Sequence, residues 1–195
     1  MTPQSGDAAA WPDPASLAPA GVVDAPHPSV IPLDDLLAVC RISQHRRGGP
    51  GGQHRNKVSS GIIVLHVPTG ISAEANERRD QSDNRRVAID RLRSRIAMNV
   101  RTSSASKLKK DEQSQTIRER WTGRPMKINA SNFDHHAVMA LVLDDLHRAG
   151  GQPSLVAPIW KTSTTSIVNF VGSQPASFTI VNRWREFHGR LPLRS

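Results

Sequence analysis

Residues 44–77 read QHRRGGPGGQHRNKVSSGIIVLHVPTGISAEANE, and the fold turns on how this stretch divides. Up to Ser60 it is a loop. Gly48, Gly49, Gly51 and Gly52 surround Pro50, Arg46, Arg47, Arg55 and Lys57 flank them, and no packed element takes that composition. Beyond Ser60 the character changes. Ile62, Ile63, Val64, Leu65 and Val67 form a strand of β-branched and aliphatic residues. Pro68-Thr69-Gly70 is a turn. Ile71 to Glu77 returns as a second strand, with Ile71, Ala73 and Ala75 on one face and Ser72, Glu74 and Asn76 on the other. The two strands predict a hairpin.

From Ser82 the period lengthens. Val87, Ile89, Leu92, Ile96 and Val100 recur near helical spacing, while Arg85, Arg86, Arg91, Arg93 and Arg95 fill the remaining positions. This predicts an amphipathic helix with a basic outer face, capped by Asp83 or Asn84. Upstream, Ile31 to Val39 is expected as a short helix with Pro32 in its first turn and Leu33, Leu36 and Leu37 inward. Residues 1–30 are rich in Pro, Ala and small polar residues without period, and read as a disordered leader. Residues 101–127 are polar and charged, and read as a basic linker, a solvated helix, or the two in succession. Phe133, Ala137, Val138, Leu141, Val142 and Leu146 then form a helical stripe that stops at Ala149-Gly150-Gly151. Two further short helical stretches follow.

The expected fold class is therefore α+β: a small mixed sheet with a packed helix and a protruding Gly-Gly-Gln loop, plus a helical C-terminal appendage. The expected domains are a leader over 1–30, a catalytic domain over 31–100, a basic linker over 101–127 and a helical region over 128–195.

The formal charge of +9 is concentrated. Residues 1–40 hold five acidic side chains and no Lys or Arg, whereas residues 41–127 hold 20 basic against 8 acidic. A polyanion is the natural partner of that middle segment, a merely solubilising surface being the bland alternative. No run reaches the ~18 apolar residues of a membrane span. The single cysteine, Cys40, excludes a disulfide framework and lies among apolar neighbours, as a buried structural thiol would. With no Lys or Arg before Arg41, neither a secretory signal nor a mitochondrial presequence is expected, and the reading is cytoplasmic.

Chemistry concentrates at Gly48-Gly49-Pro50-Gly51-Gly52-Gln53-His54-Arg55-Asn56-Lys57. Consecutive glycines let backbone approach a ligand with no Cβ in the way. The flanking cations each suit a phosphate. The string lacks the Gly-Lys-Ser/Thr ending of a nucleotide P-loop. Gly-Gly-Gln also occurs at residues 150–152, where it follows a helical stripe without a basic collar and reads as a helix C-cap.

For the first copy the surroundings decide. Gly49-Pro50-Gly51-Gly52-Gln53-His54, Asn56-Lys57, Ser60, His66-Val67-Pro68-Thr69-Gly70-Ile71, Glu74, Arg79, Gln81 and Asn84, with Ala88 and Leu92 in the helix beyond, resemble the catalytic domain of class I peptide chain release factors and their rescue-type relatives. The resemblance runs without a gap from Arg46 to Ile96. Arg55 stands where members usually carry a small or apolar residue, Arg78 alters the charge order near 77–80, and Asp80 replaces a usual serine.

The resemblance implies a ribosome-dependent hydrolase of the peptidyl-tRNA ester. Gly51, Gly52 and Gln53 would enter the peptidyl transferase centre, with large-subunit rRNA and peptidyl-tRNA as partners. The Gln53 N–H would stabilise developing negative charge, and its side-chain nitrogen is a possible target of a methyltransferase. Arg46, Arg47, His54, Arg55, Asn56, Lys57, Arg79, Lys107, Lys109 and Lys110 would contact RNA. Stop-codon reading needs further domains and the family's codon-reading tripeptides are not visible, so codon-independent rescue of stalled ribosomes is expected. The sparse arginines of the C-terminal end depart from the dense basic tail that rescue-type relatives often carry.

Other features weigh less. His135-His136 lacks the companion ligands of a metal site, and no metal or other cofactor is expected. Asp144-Asp145 reads as a solvated helix end, Trp121, Trp160 and Trp184 as packing residues, and His66 as a loop-positioning or RNA-contacting group. Two rival functions remain: a non-catalytic RNA- or ribosome-binding module, and a DNA-binding helix-turn-helix over residues 154–189.

Overall fold

The computed structural model describes residues 10–45, 60–103 and 111–194. The hairpin is present as β3 (Gly61–His66) and β4 (Ile71–Ala75), antiparallel, with Ile62 opposite Ala75 and His66 opposite Ile71. A third strand joins it. β2 (Cys40–His45) pairs antiparallel with β3, from Cys40 opposite His66 to His45 opposite Gly61, giving the order β2-β3-β4. Its sequence, CRISQH, is short and mostly polar. Only Cys40 and Ile42 turn toward the core, as suits an edge strand half open to solvent. The expected short helix is α1 (Leu33–Ala38), with Leu36 buried and the Cys40 thiol donating back to the Leu36 carbonyl at 3.2 Å. Cys40 is only partly buried, and that burial still pushes its thiol pKa up.

The long helix is α2 (Gln81–Asn99), lying across β3 and β4. Asn84, Ala88, Leu92 and Ile96, spaced every four residues, are fully buried against Ile62, Val64, Ala73 and Ala75. The small side chains at Ala73, Ala75 and Ala88 leave room for Leu92 and Ile96 between helix and sheet. Two expectations are corrected here. Asn84 is no cap, since Asp80 takes that position and Asn84 lies inside. Arg93 is not on a solvated face either. A second helix packs on that side, so Arg93 is buried, donates to the Phe133 carbonyl at 3.1 Å and lies 4.5 Å from the Phe133 ring centre.

That second helix is α4 (His135–Arg148), buried along nearly its whole length. It is the axis of a helical layer with α3 (Glu112–Trp121), α5 (Pro153–Val156), α6 (Thr164–Gly172) and α7 (Pro175–Phe187). Val138, Val142, Leu146, Trp160, Ile167, Val171 and Val181 fill its core. Trp160 and Trp184 are buried as packing residues. The stretch expected as a linker thus contains α3, capped by Asp111 accepting from the Ser114 N–H at 2.9 Å. α5 is a single turn, too short to serve as the first helix of a helix-turn-helix.

Residues 10–30 also depart from expectation. They hold β1 (Gly21–Val23), which pairs in parallel with β5 (Val100–Thr102) directly after α2. Two buried histidines pin this segment. His27 Nε2 donates to the Val100 carbonyl at 3.1 Å while its Nδ1 accepts from Ser29 N–H at 3.0 Å, and His147 Nε2 lies 2.7 Å from the Ala18 carbonyl. Composition without period gave no sign of the ties to Val100 and His147, because they span more than 70 positions. No described helix is long and apolar enough to cross a membrane.

Candidate functional site

His45 and Gly61 face one another in the β2–β3 ladder. The two residues that flank the segment 46–60 are therefore side by side at one end of the sheet. Gly61 is required for that closure: a Cβ there would lie 2.7 Å from His45 Cε1 and 2.9 Å from the His45 carbonyl oxygen. Of the expected site residues, Arg46, Arg47, Gly51, Gly52, Gln53, His54, Arg55, Asn56 and Lys57 lie outside the described residues, as do Lys107, Lys109 and Lys110.

The base of this segment is fixed by Asn84. Its Nδ2 donates to the Ser60 carbonyl at 2.7 Å and to the Arg78 carbonyl at 3.0 Å, and its Oδ1 accepts from the Arg78 N–H at 2.9 Å. One fully buried amide thus ties the loop's exit to the bend that precedes α2. Such an amide must be paired, and here all of its ties are to backbone. Reading from the residues alone assigned Asn84 to a cap. The one signal that singled it out otherwise was its place in the family pattern.

Arg79, the described member of the expected RNA-binding set, is exposed in that same bend. Arg78 and Arg85 are exposed beside it. None of the three has a carboxylate partner within salt-bridge distance among the described residues. Arg91 is different: it bonds Glu77 at 2.6 Å and the Glu74 carbonyl at 2.8 Å, bracing the end of β4 against α2.

His66 is at the far end of β3, five residues and about 17 Å from Gly61. Its Nδ1 lies 2.7 Å from Thr69 Oγ1, which accepts from the Ile71 N–H at 3.4 Å. Burial lowers its pKa. It therefore holds the β3–β4 turn, at the opposite end of β3 from Gly61.

The second Gly-Gly-Gln ends α4 in a Schellman arrangement. Gly151 N–H bonds the Leu146 carbonyl at 2.7 Å and Gly150 N–H bonds the His147 carbonyl at 3.0 Å, with both glycines at positive φ. Gly151 is also pressed against α7, where a Cβ would lie 2.5 Å from Arg185 Cγ. This copy is a structural joint, as its sequence context indicated.

Asp144 and Asp145 correct the expectation of a solvated helix end. Both are buried. Asp144 pairs with the fully buried Arg101 at 3.1 Å and accepts from Thr102, joining α4 to β5. Burial brings the Arg101 guanidinium down to about 10, with Asp144 opposing the shift, so it stays charged at neutral pH. Asp145 receives both ends of the Arg118 fork, at 2.7 and 3.0 Å, and the Trp160 indole N–H at 2.9 Å. No group of three or more His, Cys, Asp or Glu among the described residues is arranged to hold a metal.

Comparison with known proteins fits this geometry. The family model described as RF-1 domain matches residues 35–140, which takes in β2 to β5 with α2, α3 and the start of α4. The mitochondrial "Peptide chain release factor 1-like" protein of Mus musculus is 33% identical over 114 residues, 58% of this chain and 30% of the relative. "Peptide chain release factor 2" of Paramagnetospirillum magneticum is 40% identical over 70 residues, 33% of this chain and 19% of the relative. "Peptide chain release factor 1" of Paracidovorax citrulli is 43% identical over 67 residues, 34% and 19% respectively. The chain spans less than a third of the length of these relatives.

Proposed function

The chain belongs to the RF-1 domain family, and from that membership we propose that it hydrolyses the ester between a nascent peptide and its tRNA on the ribosome, without reading a stop codon. The observation that carries the proposal is the anchoring of residues 46–60. His45 and Gly61 fix its two ends side by side, and Asn84 ties its exit to the body of the domain. A segment held in this way can carry Gly51-Gly52-Gln53 as a tip on a fixed base.

The chemistry asked of the tip is modest. The Gln53 backbone N–H donates to the oxygen that gains charge as the ester carbonyl is attacked. One such donor contributes about 2.7–4 kcal/mol of barrier lowering. The Gln53 side-chain amide shapes the water pocket and is not a general base, because it does not titrate near neutrality. Large-subunit rRNA and the terminal ribose of the tRNA supply the remainder. Arg46, Arg47, Arg55, Lys57 and Arg79 meet rRNA phosphates, and the Gln53 amide nitrogen is the site at which a methyltransferase would act.

The test is a release assay with ribosomes carrying peptidyl-tRNA and a stop codon, a sense codon or no mRNA in the A site. Release in all three, abolished by Gln53→Ala while ribosome binding persists, is the expected result. Release at the stop codon alone would overturn codon independence. Equal release by Gln53→Ala would overturn the role of Gln53, and ribosome binding without release by the wild-type chain would overturn the activity and leave a binding module.

A further inference from the structure

The helical stripe from Phe133 to Leu146 predicts a buried Phe133, but the residue lies outside both cores. It precedes α4 and is 60% exposed, the most exposed of the described Phe and Trp side chains. Its mounting is nonetheless fixed. The Arg93 guanidinium lies 4.5 Å from the ring centre and donates to the Phe133 carbonyl at 3.1 Å. Asn132 Oδ1 accepts from the Asp134 N–H at 2.9 Å, and the Asp134 carboxylate accepts from Arg120 at 2.7 Å and from the Trp121 indole at 2.9 Å. A ring held from behind by a buried cation and open in front loses little freedom when a second flat group covers it.

The surroundings say which flat group fits. Residues 122–133, between α3 and α4, contain Arg124 and Lys127 and no carboxylate, and both cations are exposed. α4 begins beside Asp90, bonded there through His136, and runs toward Arg101, paired there through Asp144. The part of α2 nearer the loop base is thus left without α4 as a cover. Arg86 stands on that part, two helical turns and about 10 Å from Arg93 on the same face. Its side chain is 82% exposed, and its 3.4 Å contact with the exposed Asp83 holds it weakly. α2 as a whole carries five arginines against Asp83 and Asp90. A neutral apolar partner would cover the ring and leave these cations unanswered. A polyanion built of flat units answers both, because bases stack on aromatic faces while phosphates meet arginines.

We propose that Phe133 stacks an unpaired base of single-stranded RNA, with a neighbouring phosphate on Arg86. The choice of RNA rests on the function proposed above. The contact is separate from Gly51-Gly52-Gln53 and lies outside the set of RNA-contacting residues that the family resemblance implies.

The test uses the full chain with ¹³C-labelled phenylalanine, titrated at low ionic strength with an adenylate RNA hexamer and, separately, with an abasic RNA hexamer of the same backbone. The Phe133 ring signals are those lost in Phe133→Leu. The adenylate hexamer should move them upfield, saturably, through the ring current of the stacked base, and the abasic hexamer should not. Phe133→Leu keeps an apolar cover over Arg93 and should weaken adenylate binding about tenfold with abasic binding unchanged. Phe133→Trp should retain adenylate binding. Arg86→Ala should weaken both ligands, and Phe187→Leu, which alters the exposed ring on α7, should weaken neither. A missing upfield shift, equal loss of both ligands in Phe133→Leu, or indifference to Arg86→Ala would overturn the proposal. Peptide release is not read here, so failure of this contact is distinguishable from failure of the release activity.

Discussion

The side-chain amide of Asn84 donates to the carbonyl of Ser60 across 2.7 Å, bringing the first turn of α2 into contact with the exit of the glycine-rich loop. Twenty-four residues separate the two in sequence. Asn84→Ala leaves the Ser60 carbonyl and the Arg78 N–H without this partner, and costs about 1–3 kcal/mol. It should also slow peptide release beyond what the lost stability explains, because the loop base loses its tie. Asn84→Asp should be at least as harmful, since it keeps the acceptor for Arg78 but points a carboxylate at two carbonyls. Denaturant midpoints together with release rates at a temperature where both variants are folded check this.

The buried Arg101–Asp144 pair fastens α4 to the strand after α2. Arg101→Met alone strands the Asp144 carboxylate and should cost about 3–5 kcal/mol. The double variant Arg101→Met/Asp144→Leu removes both charges and should recover much of that loss. Thermal melts of the single and double variants decide it, and equal destabilisation by both would refute the account.

Acid should loosen the N-terminal strap. Burial depresses the pKa of His27 and of His147 below the ordinary imidazole value of about 6.5. The unfolded chain therefore binds these protons first as pH falls. The stability they contribute is complete above pH ~6.5 and is lost as pH drops from there toward the folded values, by up to about 1.4 kcal/mol per pH unit for each proton. Urea midpoints between pH 8 and 5 should fall on the acid side, and His27→Gln should flatten that fall. Amide exchange at Val22 and Val23 should quicken in step, since β1 is held by the same contacts.

The two Gly-Gly-Gln copies should separate cleanly. Gly151→Ala meets both a positive φ and the Arg185 side chain, and should cost about 1–2 kcal/mol while release by the folded protein is unchanged. Gln152→Ala should leave release intact. Gln53→Ala should do the reverse, abolishing release with an unshifted melting temperature. Loss of release in Gln152→Ala would mean that the reactive copy had been misidentified.

Local pattern was enough to determine the β3–β4 hairpin, the span of α2 and the capping role of Gly150-Gly151. Each rests on pleat period, helical period or backbone freedom, which neighbouring residues set between themselves. The tie at Ser60 was not legible, because Asn84 has the residue type of a cap and becomes a tie only when α2 lies against β3. The same holds for Arg93, Arg101, Asp144 and Asp145, which are charged residues that a sequence places in water. Only the packing of α4 against α2, β5, α3 and Trp160 supplies the partners that let them be buried. The edge strand β2 and the ordered segment from residue 10 likewise exist through pairing with distant strands. Contacts made across 20 to 130 residues leave no local period to read, and tertiary structure alone decided them.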